Sequence, residues 1–232
     1  MIVGSILLAF GIQAWWDGRQ EREEERAILL GLQSDFEQID RQLMASTEVA
    51  ESIVWSIDFL LSLEGKGAHE IPLAATDSAM RRLIQSPVLE PGEATLEGLL
   101  GSGQLDLIQD RALRESLSAW RSQLESVNNS QWVVRDFIRE SLIPYLAREG
   151  VPLARAYESG VVGAEEGTVI GGIPSAEQAG SAAEAYARAL SSSEFRGLVT
   201  YRRSWAGLGV SQLGATLAQA RRILGLLGST GI

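Results

Sequence analysis

The chain has 232 residues, of which 45% are hydrophobic, so it is long and apolar enough to bury a core, and one domain is the default count. Acidic residues outnumber basic ones by 30 to 20, and a surface with a net charge of -10 and no basic stripe excludes nucleic acid as a partner. Cysteine is absent, which excludes disulfides, thiolate catalysis and cysteine-bound metal centres.

The chain opens with an uncharged segment at residues 2–16 that ends in two tryptophans. We interpret residues 1–16 as a membrane-anchor helix, because Trp15 and Trp16 suit a membrane–water interface and the charged run 17–26 that follows suits water. A helix over 2–16 rises about 22 Å, short of a hydrocarbon core of roughly 30 Å, so neighbouring proteins or a thinned bilayer would complete the span. A cleaved signal peptide and a buried helix of a soluble domain are the two alternatives.

The small residues of the anchor would allow close packing against other transmembrane helices. The predicted anchor and interface residues are Gly4, Ser5, Leu7, Leu8, Phe10, Gly11, Trp15 and Trp16. Orientation can be read from the basic residues: three arginines follow the anchor and none precedes it. The rest of the chain, residues 17–232, is predicted as one helical extramembrane domain. By the positive-inside rule alone, this domain would lie in the cytoplasm.

A heptad-like apolar pattern runs through residues 29–61. Its positions are Leu29, Leu32, Phe36, Ile39, Leu43, Ala50, Val54, Ile57 and Leu61, with Thr47 as the one weak position. The pattern predicts a long helix, or a tight helical hairpin, that packs within its own domain. A coiled coil with a second copy, which would make the protein a homo-oligomer, is the alternative.

The middle of the chain is predicted as short helices separated by loops. Residues 64–75 read as a loop that exposes His69, the only histidine, and a short helix follows at 77–85. Gly101 and Gly103 are expected to cap the C-terminus of the next helix. Asp110 is expected to cap the N-terminus of a helix that buries Leu113, Leu117, Trp120 and Leu124. A separate helix at 130–148, kinked at Pro144, would bury Val134, Ile138, Leu142 and Tyr145.

Residues 149–175 are rich in glycine and valine and predict a long irregular loop. Too little periodicity is present for it to fold on itself, so it could become ordered by lying across a partner. Its candidate partner-binding residues are Val161, Val162, Val169, Ile170 and Ile173.

Two capping boxes open the last helices, Ser175 with Gln178 and Ser191 with Glu194. The final helix is predicted from Ser193 to Leu227. Its glycines would either weaken it or allow another helix to approach; they are Gly197, Gly207, Gly209, Gly214 and Gly225.

No residue pattern indicates catalysis. A nucleophile elbow, a phosphate-binding loop and a dinucleotide fingerprint are all missing, and a single histidine cannot form a metal pair. We therefore predict no catalytic, cofactor-binding or metal-binding residue, no cofactor and no enzymatic activity. Trp120 and Trp132 fall on predicted apolar faces and are expected to pack in the core. The enzyme alternative is a membrane-tethered hydrolase that uses loop carboxylates such as Glu158, Glu165 and Glu166.

Two segments together resemble a large family of uncharacterised bacterial membrane-anchored proteins. The first is IVGSILLAFGIQAWWDGRQEREEERAILLGLQSDFE, and the second is TLEGLLGSGQLDLIQDRALRESL; together they cover about 60 of the 232 residues. The resemblance implies a membrane-tethered helical domain and carries over no catalytic residue. Members usually have a basic stretch before the apolar helix, which sends the domain to the periplasm. That stretch is missing here; we follow the resemblance and predict the periplasm, against the arginine count.

The predicted fold is all-α, with a single N-terminal membrane-anchor helix followed by an extramembrane bundle of helical hairpins with one long irregular loop. The predicted location is the bacterial inner membrane, with a single pass. The predicted function is a non-catalytic scaffold or accessory subunit that contacts the lipid bilayer and stabilises a larger integral-membrane complex. That complex could be energy-converting, respiratory or photosynthetic, or serve transport.

Overall fold

The computed structural model describes residues 2–86, 89, 92, 94–153 and 176–230, and for residues 2–11, 14, 17, 21 and 176–178 only the backbone. Every regular element in these ranges is helical, which confirms the predicted all-α class. The α-helices are α1 Ile2–Ser62, α2 Leu73–Leu83, α3 Ala94–Ser102, α4 Arg111–Phe137, α5 Ile143–Arg148, α6 Ala176–Leu190 and α7 Ser193–Ser229. Two short 3-10 turns, Ala68–Glu70 and Gln104–Leu107, and one π-helical turn, Ile138–Leu142, complete the described elements.

The chain divides into two units, each with its own core. Unit 1 comprises Met1–Met44, Leu89–Glu125 and Ala215–Ile232, and unit 2 comprises Ala45–Val88 and Ser126–Gly214. Each unit therefore combines segments that are distant in sequence.

The core of unit 1 forms around the first half of the predicted heptad pattern. Its five positions on α1 are all buried, as predicted: Leu29, Leu32, Phe36, Ile39 and Leu43. Phe36 meets Trp120 of α4 edge to face, with ring centroids 5.1 Å apart. Such an aromatic contact stabilises the fold by roughly 0.5–1.5 kcal/mol beyond the stabilisation from burial of the ring surface. Leu113, Leu117 and Leu124 are buried on the same helix as Trp120, which confirms the apolar face predicted for α4.

Polar contacts fix the short helix α3 on α1 within unit 1. The backbone N–H of Thr95 in the first turn of α3 donates to the Asp35 carboxylate of α1 at 2.8 Å. A helix N-terminus has amides without an intrahelical acceptor, and Asp35 supplies one from another element. Arg221 of α7 donates to Asp40 of α1 at 2.7 Å in the same unit. These bonds join α1, α3 and α7 around the apolar core.

The second half of the heptad pattern is only partly right. Ala50 and Ile57 are buried in unit 2 as predicted, but Ile53 and Leu60 are buried where Val54 and Leu61 were expected. Val54 and Leu61 lie at the margin of the core, partly exposed. The buried stripe keeps helical spacing and is displaced by one residue, because α1 is apolar on two adjacent faces there.

The core of unit 2 also contains helices α2, α4, α5, α6 and α7. The predicted face Val134, Ile138, Leu142 and Tyr145 is buried in it. Two tyrosines bond inside this core: the Tyr145 hydroxyl donates to the Ala189 carbonyl at 3.2 Å, and the Tyr186 hydroxyl donates to the buried Asp77 carboxylate at 2.5 Å. The hydroxyls of these two buried tyrosines therefore both have hydrogen-bond partners.

Several predicted boundaries need correction. The helix expected to start at Asp110 and the separate helix expected at 130–148 are not divided near residue 130, because α4 is continuous over Arg111–Phe137. Burial of Val127 and Val134 holds it together across two asparagines that favour a break. The distortion expected at Pro144 takes the form of the π-helical turn Ile138–Leu142 just before it, since proline cannot donate to the carbonyl four residues earlier.

The predicted caps are confirmed in part. The Asp110 carboxylate accepts the Leu113 amide at 3.1 Å at the start of α4, as expected. Gly103 follows α3 with φ +71, the left-handed conformation of a C-cap glycine, whereas Gly101 lies inside the helix. At the start of α7 the capping hydroxyl belongs to Ser192, which accepts the Glu194 amide at 3.2 Å, and the prediction of Ser191 is wrong. The other predicted box involves Ser175, which lies outside the described residues.

Candidate functional site

The N-terminal part of α1 is a helix without a core of its own. Among the described side chains from residue 12 onward, Leu29 is the first that is buried. Ile12, Trp15 and Trp16 are 54%, 56% and 62% exposed. Trp15 and Trp16 contact each other edge on at 6.3 Å. Three large apolar side chains thus stand on one uncovered stretch of helix, which we call the N-terminal tip.

Charged and amide side chains follow the tip along α1. Arg19 lies over the Trp15 ring at 5.9 Å and donates to Glu23 at 3.2 Å. Gln20 donates to Glu24 at 3.1 Å in the same spacing. Pairs four residues apart on an exposed helix stabilise it by only about 0.2–0.5 kcal/mol each. The Gln109 amide donates to the Glu25 carboxylate at 2.7 Å, which ties the end of this segment to a distant part of unit 1.

Hydropathy does not support the predicted membrane-anchor helix. Within the described residues, no helix has an apolar stretch long enough to cross a bilayer. The predicted transmembrane pass of residues 1–16 is therefore not supported. The side chains of the other predicted anchor residues lie outside the described ones: Gly4, Ser5, Leu7, Leu8, Phe10 and Gly11.

The predicted loop falls almost wholly outside the described residues, which resume at residue 176 after residue 153. This applies to the candidate partner-binding residues Val161, Val162, Val169, Ile170 and Ile173, and to the carboxylates Glu158, Glu165 and Glu166 of the hydrolase alternative. At its described start, Gly150 has φ +71 and Val151 is buried. Gly150 therefore ends the helical stretch made of α4, the π-helical turn and α5.

The ionisable groups with shifted pKa values form ion pairs or are buried. Arg203 donates to Asp58 at 2.5 and 3.0 Å, and this hydrogen bond lowers the pKa of Asp58. Arg148 donates to both oxygens of Glu194 at 2.7 Å, which raises the pKa of the arginine. Desolvation raises the pKa of buried Tyr145. In the described part of the chain, no three His, Cys, Asp or Glu side chains group as metal ligands would, and His69 is exposed.

The tryptophans divide between core and surface. Trp120 is fully buried, as predicted, but Trp132 is 57% exposed, and the prediction that it packs in the core is wrong. The Arg135 guanidinium lies over its ring at 4.5 Å. Trp55 is 63% exposed and stacks on Phe59 at 5.8 Å. Trp55 and Trp132 are therefore both surface residues of unit 2.

Unit 2 exposes an apolar face that the sequence did not predict. Tyr201 of α7 contacts Phe137 of α4 at 4.7 Å and Trp205 at 6.3 Å between ring centroids. Val133 and Leu208 lie one helical turn from these rings and are each 43% exposed. We call these five residues the aromatic face. Contiguous exposed apolar groups of this kind mark interaction sites.

A small cavity lies inside unit 2, and one wall contains a buried arginine. Its volume is about 40 Å³, and its walls are mainly apolar, with Ile53, Val127, Val134, Trp205, Ala206 and Leu213 among them. Arg202 also lines it and is only 2% exposed. Burial lowers the pKa of Arg202 to about 10, so the guanidinium is still a cation at neutral pH.

No protein-family model, curated protein or solved structure matches this chain. The family resemblance of the two sequence segments stays a prediction.

Proposed function

We propose that this protein is a non-catalytic accessory subunit, attached through the N-terminal tip to an integral-membrane protein complex in the bacterial inner membrane. The observation that carries this proposal is the uncovered start of α1. Ile12, Trp15 and Trp16 are exposed, and no described side chain from residue 12 to residue 28 is buried. A helix without tertiary packing is marginal in water, so a partner or a lipid surface is needed to stabilise it.

The chemistry of the tip favours a membrane interface. Tryptophan combines a large apolar ring with an N–H donor and is enriched where hydrocarbon meets water. Two tryptophans followed directly by Asp17 and a run of charged residues reproduce that order along the helix. The tip would therefore sit at headgroup depth, with residues 2–11 on its apolar side.

Contact with other transmembrane helices explains how so short a segment can be held. The uncharged run 2–16 spans about 22 Å as a helix, against roughly 30 Å of hydrocarbon. Helices of a larger complex can shield the ends of a short segment from lipid. Gly4, Ser5 and Gly11 supply the small residues that such close packing uses.

Self-association through the heptad pattern is the rival binding function. Its positions from Leu29 to Leu43 are already buried by the chain itself, with Leu32, Phe36 and Leu43 at 0% exposure. A coiled coil with a second copy would have to displace these intrachain contacts. This burial favours a heterologous partner over a homo-oligomer built on that seam.

Membrane fractionation tests the attachment. We expect the full chain to pellet with membranes and to resist carbonate, and Trp15→Ser with Trp16→Ser to release it into the soluble fraction. Trp55→Ser is the matched control, because this tryptophan is 63% exposed at a distant position on the same helix. A wild-type chain that is freely soluble without detergent would contradict the proposal.

Sidedness needs a separate experiment. We propose a periplasmic domain, following the family resemblance. A reporter that is active only in the periplasm, fused after residue 232, should be active. Activity of a cytoplasmic reporter at the same position would instead support the arginine count and place the domain in the cytoplasm.

A further inference from the structure

The cavity of unit 2 contains a buried cation whose described partners are all uncharged. Arg202 donates from Nε to the Leu83 carbonyl at 3.3 Å and from Nη2 to the Gln85 carbonyl at 2.8 Å. Both carbonyls lie at or just after the C-terminal end of α2, so the guanidinium caps that helix. Within the described residues, no carboxylate forms an ion pair with it.

Capping uses only part of the guanidinium. Arginine has five N–H bonds, and two of them are accounted for by Leu83 and Gln85. Both N–H bonds of Nη1 and one of Nη2 have no acceptor among the described residues. These donors are available to a ligand in the cavity, and an anion that accepts from Nη1 and Nη2 together would form the bidentate pair that the arginine fork favours.

The walls of the cavity restrict which anion fits. Four other polar residues line the cavity: Ser86, Ser130, Gln131 and Gln212. Gln212 donates to the Ser130 hydroxyl at 3.0 Å, and that hydroxyl donates to the Ser126 carbonyl at 3.1 Å. The rest of the lining is aliphatic, aromatic or glycine. One guanidinium in apolar surroundings can neutralise a monoanion, whereas a dianion such as sulfate would keep an uncompensated charge.

Volume sets the size of the ligand. A cavity of about 40 Å³ has room for a few water-sized atoms, since one water requires roughly 10–15 Å³ on the same scale. A carboxylate with one to three further carbons matches this space, with its oxygens on the guanidinium and its alkyl end against Val127, Val134 or Leu213.

We propose that unit 2 binds a short-chain monocarboxylate, such as acetate, propionate or butyrate, in the cavity between α1, α4 and α7, with its carboxylate held bidentately by Arg202. This site does not involve the N-terminal tip, so its test does not depend on the outcome of the test of membrane attachment.

Ligand-dependent thermal unfolding of the full chain in mild detergent tests the proposal. Propionate should raise Tm saturably, by roughly 5–10 °C at a hundred times its Kd. Propionamide has the same shape without the charge and should have no effect at equal concentration. Sodium chloride and sodium sulfate at matched ionic strength should also leave Tm within a degree. Equal shifts from all these additives would mean a general salt effect and would overturn the proposal.

Two glycines of α7 provide a matched pair of variants that leave Arg202 intact. Gly209 lines the cavity, and a Cβ added there would meet nothing within 4 Å, so Gly209→Leu should fold and fill the space. Gly207 is exposed and equally open on the same helix. We expect Gly209→Leu to weaken propionate binding at least tenfold by titration calorimetry and Gly207→Leu to leave it unchanged. Unchanged binding in Gly209→Leu would refute the location.

The role of the guanidinium is tested by Arg202→Lys, which retains a cation and loses the bidentate fork. Propionate affinity should fall about tenfold while far-UV circular dichroism stays that of the wild type. Arg202→Lys that binds as tightly as wild type would show that a point charge suffices and would overturn the bidentate assignment.

Discussion

The approach of α3 to α1 in unit 1 depends on one glycine. A Cβ added at Gly31 would lie 2.9 Å from both Cγ2 and Oγ1 of Thr95 and 3.4 Å from its Cβ. Rotating the Thr95 side chain cannot relieve this, because two of its three Cβ substituents face the glycine and any rotamer leaves at least one there. In Gly31→Ala either α3 must shift, straining the bond from Thr95 to Asp35, or the contact stays too close.

The magnitude follows from two opposing effects. Alanine within a helix stabilises by about 0.5–1 kcal/mol relative to glycine, and overpacking a tight contact costs about 1–3 kcal/mol. Gly31→Ala should therefore lower the free energy of unfolding by roughly 0.5–2 kcal/mol. Gly98→Ala on α3 is the control: it is exposed with nothing within 4 Å of the added Cβ, so it should stabilise by about 0.5–1 kcal/mol.

A double-mutant cycle with Thr95→Ala isolates the contact. This substitution removes both γ atoms and keeps the backbone N–H that Asp35 accepts. In that background Gly31→Ala should become neutral or stabilising, giving a coupling energy of about 1–3 kcal/mol in urea unfolding of the full chain. Equal destabilisation by Gly31→Ala with and without the Thr95 γ atoms would refute the close approach.

Three further predictions concern single contacts. Asp110→Ala should lower the free energy of unfolding by about 0.5–2 kcal/mol in urea because it removes the N-cap of α4, and Asp106→Ala, at an exposed aspartate that does not cap α4, should have little effect. Tyr186→Phe should lower the free energy of unfolding by about 1–3 kcal/mol in the same assay, because it removes a donor to buried Asp77. An unchanged free energy of unfolding would contradict that hydrogen bond. The hydrogen bond from Arg203 is the main reason that the pKa of Asp58 lies below its usual 3.8. The pair therefore stabilises the folded chain above pH 3.8, and this stabilisation is lost as the pH falls through the folded-state pKa of Asp58. The stability difference between wild type and Asp58→Asn should therefore shrink from pH 6 to pH 3, and a constant difference would exclude the ionic contribution.

Sequence periodicity predicted the elements that bury one face. Leu29 to Leu43 on α1 and Leu113 to Leu124 on α4 repeat at helical spacing, and both stripes are buried. The pattern failed where more than one face is apolar. After residue 45 the stripes through Val54 and through Ile53 are equally apolar, and only the packing of unit 2 decides that Ile53 is inside.

Local propensity also misled where packing decides. Asn128, Asn129 and Ser130 are weak helix formers and suggested a break in what is a continuous helix, because buried neighbours on either side outweigh their preference. Trp132 was placed in the core by its spacing, yet it is exposed under Arg135.

The sequence predicted the Asp110 cap, but other polar features of the fold had no signal in it. Arg202 and Arg203 are adjacent and chemically identical, but one is buried at the end of α2 and the other pairs with Asp58 on the surface. Only the path of the chain distinguishes them. Gly31 is similarly one of 24 glycines, and its role depends on where α3 begins.

The stoichiometry of co-purification is the most direct test of attachment of the N-terminal tip to an integral-membrane complex. The chain would be tagged at its C-terminus, purified from membranes in mild detergent, and quantified by mass spectrometry beside the Trp15→Ser, Trp16→Ser double variant and the Trp55→Ser control. We expect integral-membrane proteins in a fixed ratio to the wild type and to Trp55→Ser, and we expect the double variant to lose them. A stable lone monomer, or a pure self-oligomer, obtained from all three chains would contradict the attachment.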